Sequence, residues 1–186
     1  MAELEKTIEN KLIEQLTQGK SQWTYRPDLR TEADLWANLR LILERGNKEA
    51  LDGKPLTDKE FEQVKNQLSF STFYDAAKWI SGENGIAHIY VQRDTERVQL
   101  TALKRDDIAG GASVYEVINQ YRALKNEEDI HSQNRRFDVS LLINGIPLIH
   151  IELKNRQHSY LDGFRQIRKY IREGKFTGFS QLFRCL

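Results

Sequence analysis

Asp138, Glu152 and Lys154 stand in a spacing that puts two carboxylates and an ammonium within reach of one another. The second acid follows the first by fourteen residues, and the lysine follows the second acid by two. Paired carboxylates offer hard oxygen ligands to a divalent cation such as Mg²⁺, leaving positions for water and a phosphate oxygen. A lysine two residues along a strand projects to the same side as the acid. There it can orient or help deprotonate an attacking water and offset transition-state charge, which is phosphodiester hydrolysis. The Leu153 carbonyl between them is a further oxygen. The same triplet also describes a solvated strand end, so its meaning depends on the elements that present it.

Those elements read as a β-hairpin. Two apolar runs, Phe137 to Ile143 and Ile146 to Leu153, flank Asn144-Gly145, a strong two-residue turn signal. Alternation places Leu148, His150, Glu152 and Lys154 on one face of the second strand, and Asp138 with Ser140 and Leu142 on one face of the first. A plain two-residue loop pairs Ile143 with Ile146 and sets Asp138 against Ile151, on the wrong side. A three-residue loop, or a bulge, returns Asp138 to the face of Glu152. An active site here therefore demands an irregular hairpin.

The segment that follows, Ser159 to about Glu173, is helical, with Tyr160, Phe164, Ile167 and Ile171 forming an apolar stripe expected to face the sheet. Gln166 and Tyr170 stand four apart beside it. Asp, Glu-x-Lys and then Gln-x-x-x-Tyr is a pattern that resembles the PD-(D/E)xK nucleases. With Asn144-Gly145-Ile146-Pro147, Ile151-Glu152-Leu153-Lys154 and Gln166-Ile167-Arg168-Lys169-Tyr170, the run from Phe137 to Phe183 is similar to the N-terminal endonuclease domain of the type I restriction enzyme R (motor) subunit. The segment from Leu35-Trp36-Ala37-Asn38 through Phe61 to Leu68 shares that resemblance, which so covers most of the chain.

The resemblance implies a restriction-endonuclease-like α/β fold and Mg²⁺-dependent cleavage of double-stranded DNA. Asp138 and Glu152 would be metal ligands, Lys154 would handle the nucleophilic water, and Gln166 and Tyr170 would arrange the site or contact DNA. A glutamate on the first helix often reaches the metal in such nucleases, and Glu9 is the best match here. The resemblance further implies methyltransferase and specificity subunits as partners, while the lone Cys185 fits a reducing cytoplasm. ATP-driven translocation would reside in domains absent from this chain. It also implies that the nuclease domain is still incomplete at Leu186, so that residues 1–186 read as one domain truncated at its C-terminal end, of doubtful activity by itself. Two other readings stay open: a non-catalytic module of the same fold that docks DNA or a partner, and a stand-alone repair nuclease.

Composition is compatible with this and excludes several alternatives. With 39% hydrophobic and 30% charged residues, the 186-residue chain can bury a real core. No apolar run approaches membrane-spanning length, and the start does not read as a signal peptide. A lone cysteine, Cys185, excludes an internal disulfide. There is no Gly-x-x-x-x-Gly-Lys-Ser/Thr phosphate loop, and the four histidines are too scattered for a zinc site. His150 shares the face of Glu152, either near the metal or as a satisfied core histidine. Net charge is only +1, but from Gly145 onward eight Lys/Arg face three acids, a surplus that could follow a phosphate backbone or simply coat a solvated helix.

In chain order, an amphipathic helix spans residues 3 to 18, and Gln22 to Pro27 is extended. Thr31 caps a helix to Arg45, Thr57-Asp58-Lys59-Glu60 is a capping box, and Phe70 to Ile80 is a further short helix. Ile86–Val91 and Val98–Leu103 are strands, and Lys104 to Gly111 is a loop. Ser113-Val114-Tyr115-Glu116 reads as a second capping box opening a helix to about Leu124, followed by a polar stretch to Arg135. Thr177 to Leu186 suggests a last strand. The order predicts a helical part over about 1–80 and a sheet with the catalytic core over about 86–186, forming a mixed central β-sheet flanked by helices.

Overall fold

The computed structural model describes residues 2–123, 135–154, 160–172 and 184–185. The first half contains α1 (Ala2–Thr17), β1 (Trp23–Tyr25), α2 (Glu32–Gly46), α3 (Asp58–Gln67) and α4 (Phe73–Ser81). It is followed by the hairpin strands β2 (Ile86–Arg93) and β3 (Glu96–Lys104), and by the short α5 (Arg105–Gly110). Then come β4 (Tyr115–Ala123), β5 (Arg135–Ile143), β6 (Ile146–Ile151), α6 (Tyr160–Arg172) and β7 (Arg184–Cys185). Five strands form one mixed sheet in the order β1-β4-β5-β6-β7, with β1 parallel to β4, β7 parallel to β6 and the central pairs antiparallel. Strands β2 and β3 make a separate two-stranded sheet. Among the described residues no helix is long and apolar enough to cross a membrane.

The central sheet is covered on both faces, and neighbouring residues divide between them. Val117, Val139 and Leu141 pack with Ile13 of α1. Ile118 and Leu142 join the larger core built by Leu35, Leu39 and Leu43 of α2, Phe61 and Val64 of α3, and the β2-β3 hairpin. Each such side chain contributes roughly 1.5–3 kcal/mol relative to exposure. The helix starts follow local chemistry: Thr31 with Asp34, and Thr57 with Glu60, form reciprocal capping boxes.

Two segments depart from the sequence expectation. Residues 115–123 are strand β4, not a helix opened by a capping box. Tyr115, Val117, Ile118 and Tyr121 are all buried, so both sides of this segment need partners, which a central strand supplies. Glu116, expected as the returning acid of the box, is buried instead between Arg26 and Asn38, whose Nδ2 donates to it at 2.7 Å. Within the expected loop 104–111, residues 105–110 form the short α5. Most of the polar stretch 125–135 and of the last strand 177–186 lies outside the described residues, of which 184–185 pair with Ile149 and His150.

The hairpin is irregular, and the irregularity is a bulge. Asn144 and Gly145 both have positive φ, 52° and 76°, and Ile143 pairs with Ile146 across a plain two-residue loop. The tip is pinned from several sides. Asn144 exchanges bonds with Val114 at 2.8 Å and donates its amide to Ala102 O at 3.0 Å. Gly145 lies so close to α2 that a β-carbon there would stand 3.0 Å from Leu39 Cα. The register then shifts: Leu142 pairs with Pro147, but Leu141 pairs with Ile149, leaving Leu148 as the extra residue. Pro147 has no N–H to give the ladder, which suits it to a bulge. Beyond it Ser140 meets His150 and Val139 meets Ile151, so the next residues in register are Asp138 and Glu152.

Candidate active site

At the end of this ladder Asp138 turns its carboxylate onto the chain just past β6, and Oδ2 accepts the Leu153 N–H at 2.8 Å. Its carboxyl is pushed up to about 6, first by burial and then by the negative charge of Glu152; the Leu153 amide and Lys154 pull the other way, and Glu9 adds to the rise. Glu152 has a side chain only 2% exposed and is held at both oxygens. Oε1 receives the Lys154 ammonium at 3.0 Å, and Oε2 faces His150 Nε2 at 3.3 Å. Two carboxylates and one lysine therefore meet at the mouth of β5 and β6.

His150 is fully buried. Its Nδ1 lies 3.4 Å from Ser140 Oγ, and its ring centroid is 4.5 Å from that of Phe137. It is a satisfied core residue that braces Glu152 from behind. Tyr170 of α6 packs on the same Phe137, at 5.2 Å between centroids, and is 3% exposed. Gln166 donates to the Tyr170 hydroxyl, so the Gln-x-x-x-Tyr pair is joined to itself and rests on the residue preceding Asp138. The α6 face turned inward is not the expected one. Phe164 and Ile171 are 55% and 43% exposed, whereas Gly163 and Tyr170 are buried. The ring of Phe137 draws Tyr170 in, and Gly163 lets the helix settle over the lysine stem, with Lys154 Cγ 3.7 Å from where a β-carbon would be. The Tyr160 side chain is outside the described residues.

A cleft of about 570 Å³ opens beside Asp138, with Glu9 of α1 in its wall. Glu9 is buried and accepts hydrogen bonds from the side-chain amides of Asn119 and Gln120. Gln120 lies between Asn119 and Tyr121, which pair with Val139 and Phe137 on either side of Asp138, and has φ 56°, a left-handed residue inside a strand. That kink turns its amide onto Glu9. Nothing in the sequence around Asn119-Gln120 pointed to this role, because the partner is 110 residues away. The bulge had a signal: a proline one residue into an otherwise apolar strand.

The donor set fits a hard divalent cation in chemistry. Asp138 and Glu152 offer oxygen donors whose mutual repulsion a cation would relieve, and the Leu153 carbonyl lies between them in sequence. Among the described residues no group of three His, Cys, Asp or Glu side chains is close enough to hold a metal by itself. Water and substrate oxygens would have to complete the shell, which is the ordinary arrangement for Mg²⁺.

Residues 2–186 match the family described as the type I restriction enzyme R protein N terminus. The chain belongs to that family. Among its relatives, the endonuclease subunit of a Staphylococcus aureus type I restriction enzyme is 32% identical over 183 residues, 98% of this chain. A counterpart from Staphylococcus saprophyticus is 31% identical over 180 residues, 95% of this chain. The EcoprrI endonuclease subunit of Escherichia coli is 28% identical over 186 residues, 96% of this chain. This R-protein N terminus spans 18% of the length of the staphylococcal subunits and 52% of that of the Escherichia coli subunit.

Proposed function

We propose that this chain is the DNA-cleaving domain of a type I restriction enzyme R subunit, and that it hydrolyses phosphodiester bonds of double-stranded DNA. The observation that carries the reading is the bulged hairpin: Leu148 is the extra residue that brings Asp138 into register with Glu152, beside Lys154. A strand end that was merely solvated would have no need of a pinned turn, a bulge and a half-buried acid facing a buried one. Mg²⁺ is the cofactor proposed, held by Asp138, Glu152 and the Leu153 carbonyl, where it would polarise the phosphate and lower the pKa of a bound water. Lys154, anchored 3.0 Å from Glu152, orients that water and offsets charge on the phosphate oxygens. His150 holds the back of Glu152, and Tyr170 with Gln166 fixes Phe137 and so the strand that presents Asp138. The family supports assembly with methyltransferase and specificity subunits in the cytoplasm, with ATP consumed by other parts of the subunit.

The test is cleavage by an intact R subunit that contains this domain. Asp138→Ala or Glu152→Ala should lower DNA cutting by on the order of 10²–10³ or more, while ATP hydrolysis and DNA binding survive. Cutting at the wild-type rate by both variants would leave only the docking-module reading.

A further inference from the structure

The cleft beside Asp138 has a feature that neither the acids nor the lysine explain. Arg122 of β4 and Arg136 of β5 are directly opposite each other in the antiparallel ladder, both are exposed, and both line the cleft. Like charges facing across strands destabilise a sheet. A third arginine joins them, since Arg122 N donates to Arg30 O at 2.8 Å and Arg30 also lines the cleft. The Arg30 guanidinium is already oriented by a 2.6 Å bond from Nε to Pro27 O. Lys6 of α1 lines the same cleft. Among the described residues none of these four cations is in an ion pair with a carboxylate. The acids of the same cleft, Glu5, Glu9 and Asp138, therefore leave the arginine end uncompensated.

The spacing suggests what compensates it. Arg136 is two residues from Asp138 on one strand, about 7 Å along the chain. That is the scale of one nucleotide step from a phosphate at Asp138 to its neighbour on the same DNA strand. Guanidinium groups bind phosphate oxygens in bidentate fashion, and a pair that repel each other when empty gain doubly from an anion between them. The geometry points to a phosphate clamp: Arg122 and Arg136, backed by Arg30, hold the DNA phosphate adjacent to the scissile one and set the strand in register with Asp138. The clamp rests on the nuclease reading for which phosphate is cut, but its binding role is measurable without cleavage.

The probe is a fluorescein-labelled DNA duplex, with anisotropy recorded in EDTA between 50 and 200 mM salt so that no strand is cut. Arg122→Gln/Arg136→Gln should weaken binding at least tenfold at the lower salt and reduce the slope of log K against log salt by about 2. Lys48→Gln/Lys59→Gln removes the same charge from exposed positions that do not line the cleft and should leave the slope as in wild type. Arg122→Lys/Arg136→Lys should keep the slope but lose affinity, since lysine cannot bind bidentately. The glutamine pair should unfold at the same temperature as wild type or higher, its repulsion gone. A wild-type chain that does not bind, a glutamine pair with the wild-type slope, or glutamine and lysine pairs that both lose Tm along with binding would each overturn the clamp. Asp138→Ala cutting as wild type in the intact subunit would sink the nuclease reading alone.

Discussion

Glu60 sits in the first turn of α3 and receives two hydrogen bonds from the Arg93 guanidinium of β2, at 2.6 and 3.0 Å. Both side chains are largely buried, and the pair ties α3 to the β2-β3 hairpin. The bond from Arg93 is the main reason the Glu60 carboxyl lies at about 2, against burial that pushes it up. A carboxyl lowered on folding stabilises the fold fully above its unfolded value of 4.5, and that contribution is lost as pH falls through about 2. Glu60→Gln leaves the Arg93 guanidinium bonded to Leu51 O and Pro55 O but without its counter-charge, and should cost about 3 kcal/mol at neutral pH, read by urea unfolding. The loss should shrink as the pH is taken from 4.5 toward 2. Asp138 is the opposite case. It is half-buried beside another acid, and Asp138→Asn keeps an acceptor for Leu153 N, so the change should raise Tm in EDTA, by about 2–4 °C for each kcal/mol relieved. A fall in Tm would show that the charge is not a burden.

At the scale of elements, the hairpin tip makes the site possible. Gly145 combines φ 76° with a close approach to α2, so Gly145→Ala should cost about 1–2 kcal/mol from the backbone alone. Denaturant unfolding with no change in stability would show that the tip is not pinned as described. The tip, the helix starts at Thr31 and Thr57, and the α6 segment were legible because each depends on residues a few positions apart. The parity of Asp138 and Glu152 also required an irregular hairpin if the two were to share a site, without choosing between a longer loop and a bulge. Strand β4 was misread because Ser113 and Glu116 mimic a capping pattern. What decides it is a partner 90 residues distant, Arg26, and a second apolar face. The α6 orientation was misread because period alone favoured Phe164 and Ile171, while the ring of Phe137 is what recruits Tyr170. Local chemistry was visible, and long-range partners were not.

On the scale of the whole molecule, α1 lies over one face of the sheet and α2 to α4 are built on the core of the other, so that the carboxylate end of β5 and β6 is left beside a cleft. The chain is about a fifth of its staphylococcal relatives by coverage, and in the proposed role it supplies cutting while recognition and ATP-driven motion reside elsewhere. A ligand that binds only the folded site raises stability by mass action. Millimolar Mg²⁺ should therefore raise the Tm of the wild-type chain and leave Glu152→Ala unmoved; equal shifts in both would place the cation elsewhere. The most direct test of the central claim, that Asp138 and Glu152 hold the metal while Lys154 acts on the water, separates these roles in Lys154→Ala. Calorimetric titration of Mg²⁺ into the chain should show metal affinity retained in Lys154→Ala and lost in Glu152→Ala. DNA cleavage by the intact subunit should fall by on the order of 10² or more in both. Lys154→Ala cutting at the wild-type rate, or Glu152→Ala binding Mg²⁺ as well as wild type, would contradict the account.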